Sequence, residues 1–443
     1  MSAGYCCTTM TLAGDCRMKD VRSKVSFSGS RFGRVSQPDI RISPESADRR
    51  APQPKACFPH TLLSHPRPLM SGIAILGAGI FAKEAHLPAL AKLGVNAPIL
   101  KAVYSRSEKS AHDVAAAAAA TLKLDPAPTV YHDGGDPSVS LDALLTTRSD
   151  IDAVIVVLPI TLQPSIIIKA LAAGKHVLSE KPVAPDTSSG LSLIAKYNEE
   201  YKPKGLVWRV AENFEAEPGY QAAATAIREG KIGKVSFFDV RVVNYIDKES
   251  KWYKTPWRTV PDYQGGFLLD GGVHTAAALR VMLPSPLTHL SGFASLNKDY
   301  LPPHDTITAV AKSIAKDSTT TFHGTASLTW ASPTPSKSVP DGITITGSDG
   351  WLSATSIYAE GVVRITIKSV VHAEGKPDEE REEIIDEPIQ GVQRELESFF
   401  AATKGTDDGL GDPLGALRDV AFIQAGLDSN GALVDLEKLI SSD

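Results

Sequence analysis

Lys181 stands in the triplet Glu180-Lys181-Pro182, directly after a short apolar run at 176–179. In an open α/β sheet, ligands gather outside the carboxyl ends of the strands, so an ammonium there can exchange a proton with a bound substrate. An ammonium facing an apolar ring and a second charge releases its proton more readily than one in water. Pro182 fixes the backbone beside it, through either a trans or a cis bond. A lone lysine after a strand is otherwise a surface charge, so this reading depends on a second motif. That motif is Gly265-Gly266-Phe267-Leu268-Leu269-Asp270-Gly271-Gly272-Val273-His274. Asp270 and His274 are four residues apart, and on a helix they share a face near its N-terminus. The carboxylate can then orient the imidazole or share a proton with a substrate hydroxyl. The alternative is Asp270 as a helix N-cap and His274 as a core histidine.

A third group offers backbone rather than side chains. Gly77-Ala78-Gly79-Ile80-Phe81-Ala82 matches the G-x-G-x-x-G/A dinucleotide fingerprint, following a strand-like run and opening a helix. Gly77 permits a tight turn, Gly79 lets the backbone approach a pyrophosphate, and Ala82 allows close helix–sheet packing. The helix start presents unpaired N–H groups to the phosphates. The end of the second strand then discriminates between cofactors. A carboxylate there would bind a free ribose 2′-hydroxyl, but the residues are Tyr104-Ser105-Arg106-Ser107. Hydroxyls and a guanidinium suit a 2′-phosphate, so NADP(H) is favoured over NAD(H). The alternative for Arg106 is a solvated loop position. Leu158 and Pro159, at the end of the apolar run 151–158, and Glu180 complete the expected cofactor contacts.

These residues need a scaffold. From Gly72 the pattern alternates strand and helix: strands at 73–76, 99–104, 151–158, 176–179 and 206–211, helices at about 80–93, 111–121 and 163–174. The continuously apolar run 151–158 fits a strand buried on both faces. Such alternation implies a parallel, doubly wound Rossmann sheet over 71–211. After Glu212 the grammar changes to long, β-branched, alternating runs at 235–245, 307–314, 320–330, 342–346 and 362–371. Helices are expected at 220–229, near 273–283, and at 392–403 and 413–427. The second domain, 212–443, therefore reads as α+β with a large open, mostly antiparallel sheet.

Composition limits the remaining options. With 42% apolar and 22% charged residues and a formal charge of -5, this is an ordinary globular composition, with no electrostatic case for nucleic acid. The longest apolar runs are strand-sized, so no membrane partner is expected. All four cysteines, Cys6, Cys7, Cys16 and Cys57, precede Met70, and the cysteine-free body fits a reducing compartment, the cytoplasm. No second Cys/His pair at finger spacing accompanies them, so no metal site is expected. Residues 1–70 are rich in Ser, Pro and Arg, with 11 Lys/Arg against 5 Asp/Glu. We expect a disordered extension or a start misplaced upstream of Met70, with mitochondrial targeting as the less favoured reading.

In their order along the chain these motifs resemble the glucose-fructose oxidoreductase/inositol dehydrogenase/MocA (Gfo/Idh/MocA) family, across essentially all of 71–443. The resemblance implies that Lys181 and His274 contact the reacting hydroxyl or carbonyl and that Asp270 supports them. It also implies a second domain carrying the substrate pocket and often an oligomer interface, so a homodimer or higher homo-oligomer is expected. A closer likeness, to a fungal NADP(H)-dependent branch, rests on Gly79-Ile80-Phe81-Ala82, His86-Leu87-Pro88, Ala211-Glu212-Asn213, Trp257-Arg258 and Gly265 through His274. It implies that Trp257 and Arg258 approach nicotinamide and substrate, against the alternative of an aromatic anchor and a loop salt bridge. Asn213 binds nicotinamide or caps a nearby helix. Two positions depart from the pattern: Ala277 stands where many members have a second Asp, and Gln163 where a histidine occurs. The expected reaction is hydride transfer between NADP(H) and a carbinol or carbonyl carbon of a sugar, polyol, dihydrodiol or aldehyde. In it Lys181 is the main acid/base, His274 shares that proton and Asp270 orients His274. The rival class is a non-catalytic dinucleotide-binding regulator on the same fold.

Overall fold

The computed structural model describes residues 70–314, 321–337, 340–372, 375 and 377–441. The expectations for residues 1–69, including the four cysteines, lie outside the described residues. Those from Met70 onward belong to one compact unit built on two sheets.

The first sheet is made of β1 (Ile73–Leu76), β2 (Leu100–Ser105), β3 (Thr129–His132), β4 (Ala153–Val156), β5 (His176–Glu180) and β6 (Trp208–Ala211). All pairs are parallel and the order is β3-β2-β1-β4-β5-β6. The strand order reverses between β1 and β4, where an open sheet leaves a crevice at its carboxyl edge. Both central strands are apolar throughout and fully buried, as a strand covered on both faces must be. Helices start at side-chain caps, Ser107 before Glu108–Leu122 and Asp186 before Thr187–Lys196.

The second sheet contains β7 (Val235–Val243), β8 (His289–Ser295), β9 (Thr306–Ile314), β10 (Thr321–Thr329), β11 (Gly342–Gly347), β12 (Gly350–Ile357), β13 (Val362–Val371), β14 (Glu379–Pro388) and β15 (Val434–Asp435). Its order is β14-β13-β12-β11-β7-β10-β9-β8-β15, antiparallel except for the β7–β10 pair. Helices Pro218–Arg228, Phe267–Met282 and Pro413–Asp428 pack against one face. Among the described residues no helix is long and apolar enough to cross a membrane.

Three differences from the sequence reading matter. Strands β3, β8, β12, β14 and β15 are additional; β14 is mostly exposed and Glu-rich, and it pairs through Arg364–Asp386 and Lys368–Glu380 across the β13 ladder. The helix expected near 273–283 begins at Phe267, because Gly266 (φ 52°) turns the chain into it. Helix Gly391–Thr403, expected in the second domain, instead buries Leu396, Phe399 and Phe400 in the core behind β1 and β2.

Candidate active site

A cleft with a volume of about 580 Å³ opens at the carboxyl edge of the first sheet. The turn after β1 supplies Gly77, Ala78, Gly79, Ile80 and Phe81, and the end of β2 supplies Ser105 and Arg106. Leu158 and Pro159 follow β4, and Glu180 and Lys181 end β5. From the other side come Trp257 and Arg258, on the short helix Pro256–Thr259, and Asp270 and His274, on Phe267–Met282. Of the residues expected at the site, Asn213 alone does not line this cleft. Nor does it cap the next helix, whose N-cap is Glu217.

The glycine turn fits a dinucleotide. Gly77 has φ 125°, and a Cβ there would lie 2.0 Å from the Val157 carbonyl oxygen, so the turn admits only glycine. A Cβ on Gly79 would meet nothing within 4 Å, so that side of the loop is open space for phosphate oxygens. Among the described residues the Arg106 guanidinium makes no hydrogen bond or ion pair, though its charge acts on the Tyr104 phenol, and Arg106 lines the same cleft.

At the opposite end the charged groups form two linked sets. The Lys181–Pro182 bond is cis. The Lys181 ammonium donates to the Asp270 carbonyl at 2.7 Å and to its Oδ1 at 3.1 Å, while Arg258 Nε donates to Oδ2 at 2.7 Å. Burial alone would raise the Asp270 pKa, but the two cations outweigh it and hold the carboxyl well below the usual range. The Arg258 guanidinium also stacks over Trp257 at 4.0 Å and Trp252 at 5.2 Å. The aromatic anchor and the salt bridge of the alternative reading are thus present, and both side chains line the cleft.

The expected partnership of Asp270 with His274 is corrected. Asp270 is drawn to its two cations, and His274 Nδ1 instead meets Glu212 Oε1 at 2.6 Å. Glu212 follows β6 and is almost wholly buried, which raises its pKa. The paired His274, with help from Lys181 and the Phe214 amide, brings the net value below normal. An ionised carboxylate only accepts, so Nδ1 carries the proton and Nε2 is left for the cleft. Phe214 stacks on the ring at 4.7 Å and fixes its plane. Glu180 is likewise engaged: His86 Nε2 lies 2.6 Å from its Oε1.

Sequence reasoning missed Glu212 and Trp252. The signal for Glu212 was available, as a carboxylate directly past the carboxyl end of a strand, beside the Asn213 chosen instead. Nothing local marks Trp252.

Residues 71–203 match the oxidoreductase family with an NAD-binding Rossmann fold, and residues 220–353 match the GFO/IDH/MocA C-terminal domain. The chain belongs to the Gfo/Idh/MocA oxidoreductase family. Dehydrogenase FPY6 of Fusarium mangiferae is 39% identical over 370 residues, covering 81% of this chain and 96% of that protein. A Thermotoga maritima oxidoreductase structure is 28% identical, with TM-score 0.68, over 83% of this chain and 99% of that one. A 3-ketoreductase from Actinomadura kijaniata, solved with TDP-benzene and NADP, shares the fold at 21% identity and TM-score 0.59, over 81% and 96%. The first Gfo/Idh/MocA match spans β1 to β5 with the glycine turn and Lys181. The second includes the helix of Asp270 and His274.

Proposed function

We propose that this family member catalyses reversible NADP(H)-dependent hydride transfer at a CH–OH or C=O carbon of a small polar substrate: a sugar, polyol, dihydrodiol or aldehyde. The observation that carries the reading is convergence. Lys181, Asp270, Arg258 and His274 meet in one cleft whose other end is the glycine turn. A bound nicotinamide supplies the hydride donor or acceptor. Lys181 and His274 Nε2 are the groups able to hold or release the proton of the reacting oxygen. Asp270 acts on Lys181 and Arg258, fixing the ammonium where the substrate oxygen would lie. Trp252 and Trp257 form an apolar wall suited to the CH face of a ring. Ser105 and Arg106 alone support the preference for a 2′-phosphate. In this reading 71–211 holds the cofactor and 212–443 the substrate and the contacts of a homo-oligomer.

Lys181→Met tests the proposal. The variant should bind NADPH as the wild type does while kcat falls by about 10²–10⁴-fold, the worth of a positioned acid/base. Wild-type protein that binds NADPH yet oxidises none across a panel of ketoses, dicarbonyls and aldehydes would return the chain to the regulator class.

A further inference from the structure

Behind the cleft lies a buried acid that the reaction as proposed does not use. Glu395, on helix Gly391–Thr403, is 5% exposed, and neither carboxylate oxygen has a hydrogen-bond partner. Its helix is tied down where Gln390 and Gly391 N–H groups donate to Glu217, and it packs against the turn Ala82–His86, the helix Leu87–Leu93 and β6. That docking brings Glu395 under the ends of β5 and β6. Its acidic neighbours are Glu180, Glu212 and Glu217, with Lys181 the nearby cation. On its own helix Arg394 and Glu397 pair with each other, and from Ala82–His86 the buried His86 faces inward while Glu84 pairs outward with Lys251.

Among the other interior atoms without a partner is Glu212 Oε2, and Glu212 lies directly after β6, the strand this helix packs against. Ionised Glu212 only accepts, so it needs a donor. Of the two carboxyls, only a protonated Glu395 can supply one. Burial, and then the surrounding carboxylates, push its carboxyl well above the usual range. An ionised carboxylate with no partner in this interior would be strongly unfavourable.

We propose that Glu395 is a neutral, buried carboxylic acid that donates a hydrogen bond to Glu212, directly or through one buried water, and thereby holds His274 in the tautomer that turns Nε2 to the substrate. Glu395 is a positioning residue, two steps from the reacting oxygen. Its donor keeps Glu212 ionised, and ionised Glu212 keeps the proton on Nδ1. The role in turnover rests on the oxidoreductase reading, whereas the protonation state and the tautomer do not.

The test uses the full chain, with Glu395→Gln, which keeps a donor, and Glu395→Leu, which removes it. Infrared spectra of cofactor-free protein at pH 7 should show a carboxylic acid carbonyl band that is missing from Glu395→Gln. Nitrogen-15 spectra of labelled histidine should report the Nδ1–H tautomer of His274 in wild type and Glu395→Gln, and a mixture in Glu395→Leu. With a turned-over substrate, Glu395→Gln should keep the wild-type pH profile, while Glu395→Leu should lose about ten- to a hundredfold in kcat, the equivalent of a hydrogen bond to a charged group. An absent acid band, an unchanged tautomer in Glu395→Leu, or a shifted pH profile in Glu395→Gln would each overturn the assignment. Should Glu395→Leu fail to fold, the wild-type band and the Glu395→Gln profile still decide it. Absence of turnover with every substrate would count against the enzyme reading and leave both spectra to decide this one.

Discussion

Asp270 is shared by two cations whose side chains are only 12% and 14% exposed, so its charge does more for them than they do for each other. Replacing it by Asn leaves two neighbouring cations uncompensated. Breaking a buried pair in this way costs about 3–5 kcal/mol, and Asp270→Asn should lower stability by about that much in denaturant titrations at pH 7. The sign with pH follows from the direction of the shift. A carboxyl held below its unfolded value contributes stability that is complete above that value, about 3.9, and is lost as pH falls through the folded value. The gap between wild type and Asp270→Asn should therefore narrow below about pH 4. Arg106 makes a second residue-scale case. With no hydrogen bond or ion pair to lose, Arg106→Ala should leave the melting temperature and NADH binding within error. It should weaken NADPH binding by about ten- to a hundredfold, as expected for a lost charge-assisted contact. Equal losses for both cofactors would remove the basis for NADP(H). At this scale the sequence revealed what lies within a helical turn or at a strand end, hence Lys181, Asp270 and His274. It did not reveal which acid serves which base, because Glu212 comes to His274 from 62 positions away through the docking of β6 beside the second domain.

At the scale of elements, the glycine turn separates fold from binding. Gly77 and Gly79 read alike in the fingerprint but meet different surroundings. An alanine at 77 would need both a conformation L-residues avoid and space already filled by the Val157 carbonyl. Gly77→Ala should destabilise the chain by about 1–3 kcal/mol and lower its melting temperature even without cofactor. Gly79→Ala should melt normally and instead lose NADPH affinity, its new methyl group standing where phosphate oxygens would approach. Equal melting losses for the two would show that the turn is not built this way. Elements with a strong period were readable: the apolar central strands and the β-branched runs of β7, β9, β10 and β13. Strand β14 was not, since its pattern is charged and its pairing comes from β13 across the ladder. Helix Gly391–Thr403 was readable as a helix but not in its place. Its apolar side fits either core, and only the Glu217 clamp and the groove behind β1 and β2 settle which one receives it.

For the whole molecule, the second sheet poses a question that its own helices do not answer. They cover one face, and the other exposes Phe237 on β7, Phe293 on β8 and Val310 on β9, each half-exposed or more (50%, 64% and 51%). Register places Val310 opposite Ser291 and Thr325, and Phe293 opposite Thr308, with Asp239, Arg241 and Lys312 the charged residues of the same face on these strands. Single exposed hydrophobics need no explanation, but several on one broad, flat sheet face suit burial against an equivalent face related by a two-fold axis. Light scattering should therefore give a mass of at least twice 47.2 kDa. The double variant Phe237→Glu/Phe293→Glu should shift the protein to the monomer. It should do so without changing NADPH affinity, because the glycine turn belongs to the other sheet and none of these side chains lines the cleft. A wild type that is monomeric at every concentration would exclude this face as an interface between copies. A double variant that loses NADPH binding together with assembly would instead mean that the cleft needs the partner to hold its shape.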